Sequence, residues 1–278
     1  MIIESTANIS IESLNDLIAE GHIYEITIKD AQNYQKGKTY DIFVLLSIKR
    51  IMQEFLSGCP ARNPNNPNSE KEIFAYIYTK LAYWANYDEL ARDVNHSSEI
   101  FKFYASDYLN SSAGIDGVLI GRNGLCSGFA ETLRNLLAEK GIQAKFVSGW
   151  KRGEDGKPLN EGHAWNQVKL DGEWFNCDIT CDRDFIVQDL VAPKFLKSNH
   201  DFSNYMKYSS NITPKIEMAT RSISDSEQTS LIGKYQSRIE YEMKPKEPQK
   251  KKKKGFIKKL SEKLKSKKTS QKGGNWYG

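Results

Sequence analysis

The strongest constraint on the fold is a pair of strand-like runs flanking Asp171-Gly172. Gly162-His-Ala-Trp-Asn-Gln-Val-Lys-Leu170 precedes the dipeptide and Glu173-Trp-Phe-Asn-Cys-Asp-Ile-Thr180 follows it. Asp-Gly between such runs signals a two-residue hairpin loop. That loop pairs 170 with 173, 168 with 175, 165 with 178 and 163 with 180. Because side chains alternate between faces, Val168, Leu170, Phe175, Cys177 and Ile179 share one apolar face. His163, Trp165, Gln167, Trp174, Asn176, Asp178 and Thr180 share the other. His163 and Asp178 then become diagonal neighbours, roughly 7–8 Å apart at the backbone and within reach of an imidazole–carboxylate hydrogen bond.

A second segment, Gly121-Arg-Asn-Gly-Leu-Cys126-Ser-Gly-Phe-Ala-Glu131, is a glycine-punctuated loop entering a helix. Phe129, Leu133, Leu136 and Leu137 set the helical spacing, and Gly141 supplies the stop. Cys126 falls at the first turn, where free N–H groups and the helix dipole favour an anion. That effect is worth roughly 0.3–2 kcal/mol, about one pKa unit or less. Bringing a thiol from ~8.5 to the ~3–4 of a histidine-paired cysteine takes several units, so an imidazolium must supply most of the shift. Cys126, His163 and Asp178 therefore read as nucleophile, base and orienter of the base. The backbone N–H of Cys126 is the expected first oxyanion donor, and the second is not identified by sequence. Trp165 and Trp174 are candidate substrate contacts, with packing the competing role. Cys177 and Cys181, at C-x3-C spacing, do not follow zinc spacing, so neither a metal nor a cofactor is expected.

These motifs resemble the transglutaminase-like superfamily of papain-fold cysteine enzymes. The resemblance rests on Gly124–Glu131, the stretch from Leu136 to Lys145 into Phe146-Val-Ser-Gly-Trp150, Gly162–Asn166 and Trp174–Thr180, in order and with family-like spacing. It spans about residues 70–200, including Asn86-Tyr-Asp88 and Lys194–Ser198, and does not reach residues 1–60 or the tail. It implies an α+β fold, a cysteine-bearing helix packed on an antiparallel sheet. It also implies the roles of nucleophile for Cys126, general base for His163 and orienter for Asp178. The family's activities include protein crosslinking, peptidase, deamidase and de-N-glycosylation chemistry, and some members are inactive. Arylamine N-acetyltransferases share the triad order, but Ser127–Glu131 looks less like theirs. The expected function is thioester chemistry on amide bonds of proteins or peptides. The competing expectation is a non-catalytic scaffold of the same fold, tethered by its tail.

The rest of the chain sets the surroundings. Ile11–Glu20 suits a short helix, 23–28 a strand, Tyr40–Leu56 and Glu70–Tyr87 helices, and Ala61–Ser69 a loop. The expected domains are an N-terminal mixed α/β extension (1–60), a catalytic domain (70–200), a polar extension (201–243) and a polybasic tail (244–278). The tail holds 14 lysines against Glu247 and Glu262, giving +12, so the net +5 leaves −7 for residues 1–243. A basic pI thus gives no reason to read the body as a nucleic-acid binder. In the tail, Lys250–Lys254 is followed by Phe256, Ile257, Leu260 and Leu264 at helical spacing among lysines. Fourteen residues is near the lower limit for an isolated helix, so the free tail is expected to be disordered. Lys244–Lys272 suits an anionic membrane surface or an acidic protein, and nucleic acid less. The longest apolar stretch, Ile42–Ile48, falls far short of the ~20 residues that span a bilayer. With Glu4 and no basic start, no secretory signal is expected. Four cysteines in 278 residues fit a reducing compartment, the cytoplasm.

Overall fold

A computed structural model describes residues 2–5, 9–20, 25–28, 39–153, 155, 157–203, 206–208 and 216–244. Residues 1–243 form one compact unit. The expectations for the tail fall, Lys244 aside, outside the described residues.

The chain begins β1 (Ile2–Ser5), α1 (Ile11–Ala19), β2 (Glu25–Ile28), β3 (Thr39–Asp41) and α2 (Ile42–Leu56). β2 pairs parallel with β1 and antiparallel with β3. Ser10 caps α1 by accepting from the Ser13 N–H at 3.0 Å. Asp41 caps α2 by accepting from the Phe43 N–H at 2.8 Å. That cap corrects the expected start at Tyr40, which lies in β3. Leu14, Ile26, Ile42, Leu45 and Phe55 are buried in the core that serves the rest of the unit.

α3 (Ser69–Trp84) carries Ile73, Ile77, Leu81 and Trp84 as the spacing requires, and is buried around most of its circumference. It stops before the expected Tyr87, because β4 (Asn86–Tyr87) pairs parallel with β5 (Asn123–Gly124). Between these strands lie four short helices: α4 (Glu89–Asn95), α5 (Glu99–Tyr104), α6 (Ser106–Ser112) and α7 (Ile115–Leu119). Then come α8 (Cys126–Ala138), β6 (Ala144–Arg152), β7 (Pro158–Leu170), β8 (Glu173–Cys177) and α9 (Ile179–Val187). The unit closes with α10 (Asn199–Ser203), β9 (Met206–Tyr208) and α11 (Asp225–Met243).

The main sheet is antiparallel in the order β8-β7-β6-β9. Asp171 and Gly172 have φ of 52° and 89°, the left-handed pair that a two-residue hairpin turn demands. The register matches expectation from 170/173 to 166/177. The expected pairs 165/178 and 163/180 are not formed, because β8 ends at Cys177 and Asp178 caps α9. On one face Val168, Leu170, Phe175 and Cys177 join the main core under α8. The other face is covered too: Trp165 and Val147 pack with Phe202 and Ile216. There the Gln167 side chain accepts from the Glu217 N–H at 2.8 Å and donates to its carbonyl at 3.1 Å. The fold is α+β, a cysteine-bearing helix against an antiparallel sheet.

α11 lies along α3, with Leu231, Ile232 and Ile239 buried. Tyr235 meets Tyr76 edge-on at 5.6 Å, and Lys234 pairs with Glu72 at 2.8 Å. Lys80 donates to the Phe55 carbonyl at 2.8 Å and lies 3.6 Å from Glu242, linking α2, α3 and α11. No helix among the described residues is long and apolar enough to cross a membrane.

Candidate active site

Close approach fixes the first turn of α8. Cys126 is its first residue, entered through Leu125 in an extended conformation. A Cβ on Gly128 would meet the carbonyl oxygens of Ser112 and Gly114 at 2.7 and 2.9 Å, and one on Gly124 would collide with Val118. Glycine at both positions lets this turn lie against α7. The Leu125 N–H donates to the Ser112 carbonyl at 2.7 Å. Ser112 is itself held, its hydroxyl donating to buried Asp88 at 2.6 Å. Asp88 also accepts from the Tyr108 hydroxyl at 2.6 Å and the Ala91 N–H at 2.9 Å. Burial would raise its pKa, but the Ser112 and Tyr108 hydrogen bonds bring it below the usual carboxylate value. Behind the turn, the Asn166 amide donates to the carbonyls of Ala130 at 2.9 Å and Lys145 at 3.2 Å, fastening α8 to the sheet. Asp88 and Ser112 were not among the site residues expected from sequence. An aspartate directly before a helix, a capping signal, was the available clue to Asp88.

His163 lies in β7 opposite Gly149 of β6. Its Nε2 is 2.7 Å from Oδ2 of Asp178, and both side chains are buried. Asp178 reaches this position as the N-cap of α9, not as a strand residue. Its Oδ1 accepts from the Thr180 N–H at 3.1 Å, the Thr180 hydroxyl at 2.6 Å and the Cys181 N–H at 3.3 Å. Burial would raise its pKa, but the charge and hydrogen bond of His163, with those donors, pull it down to about 2. Burial likewise opposes an imidazolium at His163, yet Asp178 and Cys126 together hold its pKa well above an ordinary histidine. At Cys126 burial disfavours the thiolate. The hydrogen bond and charge of His163 and the Ala164 N–H outweigh it and lower the thiol pKa. Cys59 and Cys181 are both pushed up to about 11 by burial, and Cys177 is driven well above its usual value. Of the four cysteines, Cys126 is thus the one whose environment favours ionisation.

Cys126 opens onto a cleft of about 470 Å³ lined by Tyr87, Arg92, His96, Lys102 and, across from the helix, Gly162. As the first helical residue it has an N–H without an intrahelical partner, placed where an oxyanion donor is needed. The two tryptophans are elsewhere. Trp165 is buried, its ring 6.4 Å from His163 and 5.7 Å from Phe202. Trp174 lies on the sheet beneath Nζ of Lys145. Neither borders the cleft, so the expectation of substrate contact is corrected to packing.

Residues 62–179 match the family model of the transglutaminase-like superfamily. No curated protein matches the sequence. Among solved structures the chain is similar to a TGase, with 16% identity over 65% of this chain and 35% of that one and a TM-score of 0.34. It is similar to a Cytophaga hutchinsonii protein provisionally described as a cysteine protease, at 16% identity, 48% and 37% coverage and a TM-score of 0.31. It is also similar to a Bacillus cereus arylamine N-acetyltransferase with a Cys-His-Glu triad, at 13% identity, 71% and 78% coverage and a TM-score of 0.35. The chain spans little more than a third of the length of the first two, and likenesses at these scores carry no argument about activity. The matched span holds Cys126, His163 and Asp178 together, and it is this segment, residues 62–179, that matches the transglutaminase-like superfamily.

Proposed function

We propose that the protein is a cysteine enzyme that acts on amide bonds of proteins or peptides through a thioester. The observation that carries this reading is the shared imidazole. His163 is held by Asp178 at 2.7 Å and, through its hydrogen bonding and charge, lowers the pKa of the Cys126 thiol, which faces a cleft. Cys126 is the nucleophile, His163 the proton carrier and Asp178 the group that orients and charges the ring. Thiolate sulfur attacks the amide carbonyl carbon, and the developing oxyanion meets the Cys126 N–H. The C–N bond breaks as the His163 imidazolium donates its proton to the leaving amine. Water or a primary amine then attacks the thioester, giving its proton back to His163 and releasing the thiolate. Water yields hydrolysis or deamidation, and an amine yields transfer. The tail, Lys244–Lys272, we read as a tether to an anionic membrane surface or an acidic protein.

The test is mass spectrometry of candidate proteins incubated with the enzyme, with and without a primary amine. Gain of the amine mass identifies transfer, a one-dalton deamidation shift or a cleavage identifies hydrolysis, and Cys126→Ala abolishes each. No covalent change across a broad protein panel, with Cys126 no more reactive than the other cysteines, would leave the scaffold reading in its place.

A further inference from the structure

Cys181 takes no part in the steps above, yet it stands in the first turn of α9 beside Asp178, its N–H donating to the Asp178 carboxylate at 3.3 Å. One ring nitrogen of His163, one carboxylate oxygen of Asp178 and Sγ of Cys181 all lie within 4.8 Å of one another. Among the described residues no other group of His, Cys, Asp and Glu side chains converges in this way. Nitrogen, oxygen and sulfur donors at one point are the mixture that suits Zn2+. We propose that His163, Asp178 and Cys181 form a Zn2+ site, and that a cation held there switches the enzyme off. Donors about 2.0–2.3 Å from a tetrahedral zinc stand roughly 3.3–3.7 Å apart. The 2.7 Å pair His163 Nε2 and Asp178 Oδ2 must therefore part by about half an ångström, and no pair need close by more than about one. The half-buried Cys181 gives the side of entry. Binding replaces the proton between the ring and the carboxylate and the Cys181 thiol proton, and both pass to solvent. With its Nε2 lone pair given to the metal, the ring can pass on its remaining N–H proton only by becoming an imidazolate, so transfer to the leaving amine is suppressed. That inhibitory consequence rests on the proposed function, whereas the binding itself does not.

The test uses the full chain with Co2+ as a spectroscopic probe and Zn2+ as its competitor. One Co2+ per chain should give a thiolate-to-metal charge-transfer band that Zn2+ displaces. The band should persist in Cys126→Ser and vanish in Cys181→Ser. Losing a direct ligand should weaken binding by more than the ~10–100-fold that losing an outer-sphere partner costs. Asp178→Asn, whose amide still caps α9, should weaken Co2+ binding while keeping the band, so the idea stays testable if Cys181→Ser folds poorly. In activity assays Zn2+ should inhibit the wild-type protein and a chelator should reverse it. Cys181→Ser, measured against its own uninhibited rate, should need at least about tenfold more Zn2+. A band lost in Cys126→Ser but kept in Cys181→Ser would overturn the proposal, as would no Co2+ binding by the wild type. Failure to find any amide chemistry would leave the Co2+ results standing and would count only against the proposed function.

Discussion

At Asp178 two jobs share one carboxylate: it caps α9 and it charges His163. Asparagine caps a helix about as well as aspartate but carries no charge. Asp178→Asn should therefore still fold with α9 capped, melting a few degrees lower for loss of the ion pair with His163, while kcat falls by about 10²–10⁴-fold. Steady-state kinetics beside a thermal melt checks this, and near-normal turnover would mean another group orients the ring. The pKa shifts also fix the pH behaviour. Cys126 is shifted below the usual thiol value and His163 above the usual histidine value, and both shifts favour a thiolate–imidazolium pair. Iodoacetamide should label Cys126 rapidly at pH 6, and His163→Ala should bring it down to the rate of Cys59. Stability follows the opposite limb. The Asp178 carboxyl has a folded value of about 2 against an ordinary 3.8. It stabilises the fold fully above the ordinary value and loses that contribution as pH falls toward 2. Asp178→Asn should flatten this acid limb in urea titrations run between pH 5 and pH 2.

At the level of elements, the seating of α8 against α6 and α7 decides where the sulfur lies. Gly128→Ala puts a Cβ against two carbonyl oxygens and should cost about 1–3 kcal/mol, the range for overpacking. Urea unfolding would show that loss, and alkylation of Cys126 at pH 6 should slow with it. Much of this arrangement was readable from sequence because its signals are local. Asp171-Gly172 forces the hairpin register, and the spacing of Phe129, Leu133, Leu136 and Leu137 marks a buried helix face. The end of β8 was hidden. Ile179 and Thr180 are β-branched and continue a strand-like run, so the cap at Asp178 showed no break in pattern. α4 to α7 were also missed, since each is five to seven residues long, too short for apolar periodicity to show. Packing rather than propensity holds such helices. The trio of Cys126, His163 and Asp178 was put forward from chemistry and chain order, and in the fold the carboxylate arrives from a helix cap instead of a sheet face.

Taken whole, the unit is built around α3, which touches α8, α9 and α11. α11 escaped sequence reading because its composition is polar, its inward face being Gln228, Leu231, Ile232, Tyr235, Ile239 and Met243. Ile239→Ala removes a fully buried side chain and should cost about 2–5 kcal/mol, seen as a lower urea midpoint with an unchanged slope. Deleting residues 244–278 removes +12 and should leave turnover of small amides unchanged. It should weaken binding to anionic liposomes at low salt, and unaltered liposome binding would dismiss the tether. The position of α11 also sets an order of events during synthesis. Cys126, His163 and Asp178 are all translated before Asp225, yet α3 lies bare along one flank until Met243 has left the ribosome. Completion of the packing around that central strut therefore has to wait for the last helix of the unit.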